Sequence, residues 1–543
     1  MFKQTALTSL DSYKLGHADQ YPANTTKVYS NFTPRSDSHF NVPSEYKDGK
    51  IVWFGSQGFL QELKQIWQET FFDQPLLNVV KQCEIFVPFC GPNGFDIKRI
   101  QALHKLGYLP LEIKALPEGS RVPIGVPVLT ITNTLPEFYW LPNFLETWIS
   151  SELWKSSTSA TTSYLYRKII NKYAEITGGN KDFIMWQGHD FSVRGMSGIS
   201  DAAKSGAGHL LSFAGTDNIP AVQYVNSCYR GNETFVGGSV PATEHSVMCA
   251  GGKESEIETF RRLLKTYPSG VVSIVSDTWD FWNVLTNLAV QLKQEILNRT
   301  PDALGLAKTV FRPDSGDPVK IIAGYKIYDL DKDEEDLGDW EIFIDGYEVI
   351  KEGGKYYYIE FIYDKYDGYV NSIEKGAEIS EAEAKGAVET LAEIFGTTVN
   401  SKGFSTLNER VGLIYGDSIT PQRAEEILDR LAIKKFASDN IVFGIGSYTF
   451  QYQTRDTLGF AMKATYVEID GVGQAIFKDP KTDNGTKKSA KGLLVVGKNA
   501  NNDYCLLDNQ PNDNIGFLKT VFKNGEILVN ESFADIRSRL GSI

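Results

Sequence analysis

From about residue 180 the chain repeats one pattern: a short unbroken apolar run, a few small or charged residues, then a stretch with helical spacing. Phe183-Ile184-Met185-Trp186 leads into Gly188, His189, Asp190, Phe191 and Arg194, and Leu210-Leu211-Ser212-Phe213 leads into Gly215, Thr216 and Asp217. Val271 to Val275 leads into Ser276 and Asp277, and Thr309-Val310-Phe311 into Arg312-Pro313-Asp314-Ser315-Gly316. Val411 to Tyr415 leads into Gly416 and Asp417, and Ile441-Val442-Phe443 into Gly444, Gly446 and Ser447. Runs that are apolar throughout, instead of alternating, belong to strands buried on both faces, and their alternation with helices predicts a parallel sheet. Six such strands, each with Asp, Arg or Gly just past its C-terminal end, predict a β/α barrel whose loops converge at one face. A doubly wound open sheet is the rival arrangement, but its ligand crevice draws on fewer strands.

Residues 1–150 are patterned differently, as a mixed α+β region without regular alternation, in which Lys27 to Phe32 alternates like a half-buried strand leading to Arg35. Helical spacing covers Gly58 to Thr70, Phe138 to Ile149 and Thr162 to Ile176, the last closed by Gly178-Gly179. By composition the tail, 455–543, completes this region, leaving 151–454 as the barrel. Within the barrel, 318–379 is an acidic, tyrosine-rich insert with a hairpin turn at Lys351 to Lys355, read as a structural surface module. A helix resumes after it at Ser380, whose spacing to Glu383 is that of a capping box, and runs to Gly396. Another opens at Thr420-Pro421.

Composition narrows the function classes. The 543 residues carry a net charge of −13, which excludes a general nucleic-acid or anionic-membrane surface while leaving room for a local basic pocket. Five scattered cysteines without a CxxC pair fit a reducing cytoplasm better than a disulfide framework or a zinc site. No secretory signal and no apolar run of membrane-spanning length is expected.

The chemistry concentrates past the strand ends. Arg194, Arg312, Arg455, Lys463 and Lys478 are cations suited to a polyphosphate, although each alone reads as a surface ion-pair partner. Gly416-Asp417 and Gly444-x-Gly446-Ser447 can turn backbone N–H groups toward a phosphate. Asp277 and Asp314 are placed to bind ribose hydroxyls or hold Mg²⁺ through water, with helix capping as the plainer reading for Asp277. Glu244-His245, after the Gly237-Gly238-Ser239 turn, sets a carboxylate beside one of only six histidines. No P-loop, HExxH or hydrolase elbow is present.

Taken in order, Asp11-Ser12-Tyr13-Lys14, His189-Asp190-Phe191 with Arg194-Gly195, Gly215-Thr216-Asp217, Ser239 through Ser246, Arg312 through Gly316 and Phe477-Lys478-Asp479-Pro480 resemble the nicotinamide phosphoribosyltransferases. The resemblance runs from about residue 10 to 535, outside the insert. It implies a homodimer with a type II phosphoribosyltransferase barrel and active sites at the subunit interface. The reaction it implies joins nicotinamide to 5-phosphoribosyl 1-pyrophosphate (PRPP) with Mg²⁺, giving nicotinamide mononucleotide and pyrophosphate in NAD biosynthesis. Phe191 and the partner's Tyr13 would stack on the nicotinamide ring, and Asp217 would accept from its carboxamide. Arg194, Arg312 and Asp314 would hold the nucleotide and pyrophosphate, and Gly416, Asp417, Gly446 and Ser447 the 5′-phosphate and ribose. Arg35, Arg455, Lys463, Lys478 and Lys487 would supply positive charge around PRPP, and Asp11 and Asp277 belong to the same substrate-binding set. The resemblance also implies that ATP phosphorylates His245, with Glu244 orienting it, and that the metal is held by substrate phosphates and water and has no protein ligands of its own.

Chemistry agrees with these roles. A pyridine nitrogen has a free lone pair, so its attack on the ribose carbon needs no general base, whereas the departing pyrophosphate needs cations. An ionised Asp217 accepts from an amide and repels the carboxylate of nicotinate. The alternatives are a nicotinate-preferring enzyme and a non-catalytic nucleotide-binding protein on the same fold.

Overall fold

The computed structural model describes residues 4–90, 95–332, 346–364, 368, 370–416, 418–478 and 490–541. Its centre is a ring of parallel strands: β1 (Gly188–Asp190), β2 (Gly215–Thr216), β3 (Val272–Val275), β4 (Thr309–Arg312), β5 (Val411–Tyr415) and β6 (Ile441–Ile445). They pair in the order β2-β1-β6-β5-β4-β3, which leaves β2 and β3 as edges. One segment joins those edges. Gly238 bridges Gly215 of β2 and Ala242 bridges Ser273 of β3, both in parallel sense, so residues 238–242 form the closing stave. Its backbone bonds are well formed, with Gly238 N–H donating to Ala214 at 2.9 Å and Ser273 N–H to Pro241 at 2.9 Å. The staves follow chain order around the ring, and closure leaves no exposed edge.

The strands are short, and two of them lie later in the chain than their apolar runs. Ile184–Gln187 is a helical turn and the strand is Gly188–Asp190, while Leu210 to Phe213 completes the helix Ile199–His209 and its exit turn before Gly215–Thr216. The second run is apolar because Leu210, Leu211 and Phe213 are fully buried, while in the first only Ile184 is buried and its neighbours are half-buried. An apolar run of four residues does not by itself distinguish a buried strand from a buried helical turn.

A second, antiparallel sheet draws on both ends of the chain. Its order is Val472–Ala475, Ala461–Ile469, Thr25–Thr33, Leu129–Asn133, Leu111–Ala115, Lys519–Lys523 and Glu526–Ile527. Asn31 stands opposite Lys463, and Ile113 opposite Phe522.

A 32-residue helix, α1 (Glu146–Thr177), ties this part to the barrel and replaces the two shorter helices expected there. On one side its Thr161 hydroxyl accepts from the Val52 N–H, and its Ser157 hydroxyl bonds both backbone groups of Phe54. On the other, Tyr166 donates to the Ile419 carbonyl at 2.7 Å and Lys155 to the Phe450 carbonyl at 2.6 Å. The buried Thr158, Thr161 and Thr162 hydroxyls satisfy themselves on carbonyls four residues back, so a run of Ser and Thr can pass through a core.

Between β4 and β5, Pro318–Ala323 is a helix, and the strands Ile327–Asp329, Val349–Glu352, Lys355–Tyr363 and Val370–Ile379 form a four-stranded sheet. It packs on Ala384 through Tyr325, Val349 and Tyr356. Ser380 caps Glu381–Lys385, but Gly386, with φ of 84°, breaks the expected helix in two before Ala387–Phe395.

Candidate active site

The C-terminal ends of the staves gather most of the candidate residues. At the end of β1, the Phe191 ring lies 4.6 Å from the His189 ring, centroid to centroid, and the Arg312 guanidinium sits 5.1 Å over the Phe191 centroid. Phe191 N–H donates to the Ile445 carbonyl at 3.0 Å, which anchors the aromatic to β6. Gly444 beside it is required by space: a Cβ there would stand 2.5 Å from the Tyr415 carbonyl and 2.9 Å from the Phe191 ring.

Asp217 follows β2, with its N–H on the Asp190 carbonyl at 3.0 Å. Its Oδ1 accepts from His189 Nε2 at 2.9 Å and from the Ser239 hydroxyl. Burial pushes this carboxyl up, but the hydrogen bond and field of His189, the Ser239 hydroxyl and the Arg312 guanidinium outweigh it and hold the group below the usual carboxylate range. Asp190, fully buried, takes the Ser192 N–H and the Asn218 amide at 2.9 Å each, so it is structural.

Arg312 ends β4 and is held by the Thr243 carbonyl at 3.3 Å and by Asp314 Oδ2 at 3.5 Å. Two buried polar atoms here, Arg312 Nε and Asp314 Oδ1, have no hydrogen-bond partner among the described residues. Both border the space over Gly416, where a Cβ would lie 2.5 Å from Asp314 Oδ1 and 2.7 Å from Arg312 Nε. A donor and an acceptor left open in a cradle that only glycine vacates is the signature of a polar ligand site.

His245 begins the helix His245–Cys249 directly after the closing stave. Its Nε2 lies 3.3 Å from Asp277 Oδ1, with the imidazole 48% exposed and the carboxylate 4%. Asp277 Oδ2 accepts the Asp314 N–H at 2.9 Å and the Ser315 hydroxyl at 2.7 Å. Asp277 is therefore the carboxylate that faces His245. Glu244 takes the Ser246 hydroxyl instead, because its extended backbone as helix N-cap sends its side chain along the following turn. Asp280, not Asp277, caps the next helix.

Arg194 is exposed on the turn Val193–Gly195, whose glycine abuts Ser447; a Cβ on Gly195 would overlap the Ser447 side chain. Gly446 precedes the short helix Ser447–Gln451. Asp417 and Lys487 lie outside the described residues.

The other candidates gather on the antiparallel sheet and the N-terminal turn. Tyr13 is 60% exposed, with the Lys14 ammonium 5.1 Å over its ring and its hydroxyl on Asp11 at 3.4 Å. Lys14 pairs with Glu146 at 2.6 Å. Burial lowers the Lys463 ammonium; Glu146 opposes this, and the charges of Arg35, Lys478 and Lys14 add to the lowering. Arg35 donates to the Gly459 carbonyl at 3.3 Å, and Arg455 pairs with its neighbour Asp456 at 3.4 Å. Lys463, Arg35, Lys478 and Lys14 thus act on one another as like charges with Glu146 as a counter-charge, an arrangement that gains from an anion.

Residues 186–526 match the nicotinate phosphoribosyltransferase (NAPRTase) family, and 5–71 match the nicotinamide phosphoribosyltransferase N-terminal domain. The nicotinamide phosphoribosyltransferase of Acinetobacter baylyi is 51% identical, covering 99% of this chain and 97% of that protein. The chain belongs to the nicotinamide phosphoribosyltransferase family. The Mycoplasma pneumoniae protein of that name is 32% identical over 90% of this chain and 94% of its own length. At a greater distance, the crystal structure of human nicotinic acid phosphoribosyltransferase has 15% identity and a TM-score of 0.49, covering 98% of this chain and 93% of that one.

For a nicotinamide phosphoribosyltransferase family member, two residues of the mouth escape a reading of strand-end charges and glycines. His189 points at Asp217 rather than at open space, and Thr243 fastens Arg312 through its carbonyl while its hydroxyl accepts the Val275 N–H at 2.9 Å. Their signal in the sequence is position alone: His189 lies two residues before Phe191, and Thr243 two before His245. Among the described residues no group of three His, Cys, Asp or Glu side chains could hold a metal ion, and no helix is long and apolar enough to cross a membrane.

Proposed function

We propose that the protein transfers the 5-phosphoribosyl group of PRPP to nicotinamide, giving nicotinamide mononucleotide and pyrophosphate. The observation that carries this reading is the ionised Asp217 carboxylate held by His189, whose ring lies 4.6 Å from that of Phe191: a flat apolar ring binds against Phe191, and an amide, not a carboxylate, donates to Asp217. PRPP lies toward the Gly416 cradle, where Arg312 Nε meets phosphate oxygens. The ring nitrogen attacks the ribose carbon while Arg312 and Arg194 take up the charge of the leaving pyrophosphate. Mg²⁺ fits this site as a substrate-borne ion: Asp277 is committed on both oxygens, and Asp314 Oδ1 is the open acceptor. When bound it neutralises the diphosphate.

The cations and Tyr13 on the antiparallel sheet complete the site in a homodimer, each chain lending its cluster to the barrel mouth of its partner. The exposure of Tyr13 supports this, because an aromatic ring in that position gains by covering a ligand. ATP acts through His245, whose exposed imidazole on a buried Asp277 is suited to take a phosphoryl group and lose it to water.

The decisive measurement is product formation from nicotinamide, PRPP and Mg²⁺, run in competition with nicotinate and with or without ATP. Nicotinamide mononucleotide is expected to dominate, and ATP to raise its yield; no mononucleotide from either base defeats the proposal. Asp217→Asn is expected to erode the preference for nicotinamide, and His245→Ala to abolish ATP hydrolysis while some transferase activity remains.

A further inference from the structure

The Asp217 carboxylate is braced on one side only. His189 Nε2 and the Ser239 hydroxyl both donate to Oδ1, while Oδ2 has no hydrogen bond among the described residues. With its backbone N–H on the Asp190 carbonyl, the carboxylate is held at both its main chain and one oxygen, leaving the second to accept from a ligand. From this geometry we infer that selection of amide over acid is the joint property of His189, Asp217 and Ser239, with His189 the positioning residue. The inference rests on the function proposed above.

The brace exists because the barrel closes. His189 is the middle residue of β1, Asp217 follows β2 and Ser239 lies in the closing stave, and these are neighbours in the ring: Gly215 pairs with His189 on one side and with Gly238 on the other. His189 is itself confined. Its ring meets Phe191 at 4.6 Å on one face. Behind it, a Cβ on Gly215 would stand 2.9 Å from His189 Nδ1 and 3.0 Å from the Gly188 carbonyl. Gly215 is not in the left-handed region, so what it supplies is room for the imidazole.

The chemical consequence follows from the balance already described. Burial favours the neutral acid at Asp217, and the donors on Oδ1, with the charges of His189 and Arg312, outweigh it. Without them the carboxyl loses its fixed orientation, and its balance shifts toward the acid form. A carboxyl that rotates freely, and takes up a proton more readily, no longer aims a fixed acceptor at the amide, so discrimination weakens while the ring site on Phe191 stays.

The test uses the full-length protein with PRPP and Mg²⁺ and reads the ratio of kcat/KM for nicotinamide to that for nicotinate. His189→Ala is expected to lower the ratio roughly ten-fold or more, the worth of one charge-assisted hydrogen bond. His189→Gln, whose amide nitrogen reaches the same oxygen, is expected to restore most of it. Ser239→Ala should lower the ratio less, and Gly215→Ala should reproduce the loss with the imidazole still present. An equal fall for both bases in His189→Ala, or no recovery in His189→Gln, overturns the inference. If His189→Ala does not fold, Ser239→Ala decides, and an unchanged ratio there overturns it. Wild-type protein that makes product from neither base defeats the functional reading instead; wild-type preference for nicotinamide with unmoved variants defeats this inference alone.

Discussion

Arg312 shows how much one side chain can be asked to do at this site: it lies over Phe191, leans on the Thr243 carbonyl, faces Asp314 and still leaves Nε open. Gly416 leaves the space beside that atom unfilled, where a Cβ would stand 2.7 Å from it. Gly416→Ala is expected to cut kcat/KM roughly 100-fold, the scale of a misplaced ligand, because the methyl lies 2.5 Å from Asp314 Oδ1. Steady-state kinetics beside a thermal melt checks this, with a near wild-type Tm expected. A second residue reports on pH. Glu256 opens the helix Glu256–Thr266, and burial together with Asp280, opposed by Lys253, pushes its carboxyl up to about 7. The unfolded value is about 4.3, so the folded chain keeps a proton that the unfolded chain has lost. The stabilisation is full below the unfolded value and is lost as pH rises through the folded one. Glu256→Gln, neutral at every pH, should therefore match wild type near pH 4 and melt higher near pH 8, by about a few degrees at most. Candidate charges and glycines past strand ends were legible in the sequence, because catalysis at a strand-end face needs those residue types. Their partners were not: Asp277 against His245 joins positions 32 apart, and only folding brings them within 3.3 Å.

Among the elements, the closing stave carries more than its length suggests. Residues 238–242 join the two edges of the ring, and the same stretch delivers Ser239 to Asp217 and runs on to Thr243 and His245. Its hydrophobic pattern has no strand signature, since Gly238, Ser239 and Pro241 interrupt it. A segment bridged at single residues on each side does not need one. Thr243→Val tests its attachment: the Val275 N–H loses its buried acceptor at 2.9 Å, which should cost about 1–2 kcal/mol. The midpoint of urea unfolding is expected to fall, and activity with it through the slackened Arg312. The same logic explains the strands that were displaced in the sequence reading. Apolarity marks what is buried or half-buried, and ahead of β1 and β2 those residues belong to a helical turn and a helix exit.

Across the whole molecule, the two clusters of candidate residues define a complementation experiment. If each site joins one barrel to the other chain's Tyr13 and Lys463, an inactive barrel variant and an inactive sheet variant should repair one another on mixing. Asp314→Ala and Lys463→Ala, each nearly silent alone, are expected to recover roughly a quarter of wild-type activity after co-refolding, since half of random dimers are mixed and each holds one intact site. A mixture as silent as its parts would mean that each chain builds its own site.

The sequence by itself determined the class of fold and the family, and it marked the candidate residues past the strand ends. Buried parallel strands must be apolar throughout, and the site must follow them in Asp, Arg and Gly. Tertiary structure alone decided three things: that 238–242 closes the ring, that Asp277 rather than Glu244 holds His245, and that His189 and Ser239 share one oxygen of Asp217. Each depends on contacts between staves that are adjacent around a barrel and distant along the chain, and composition and periodicity report only on neighbours within a turn or a strand.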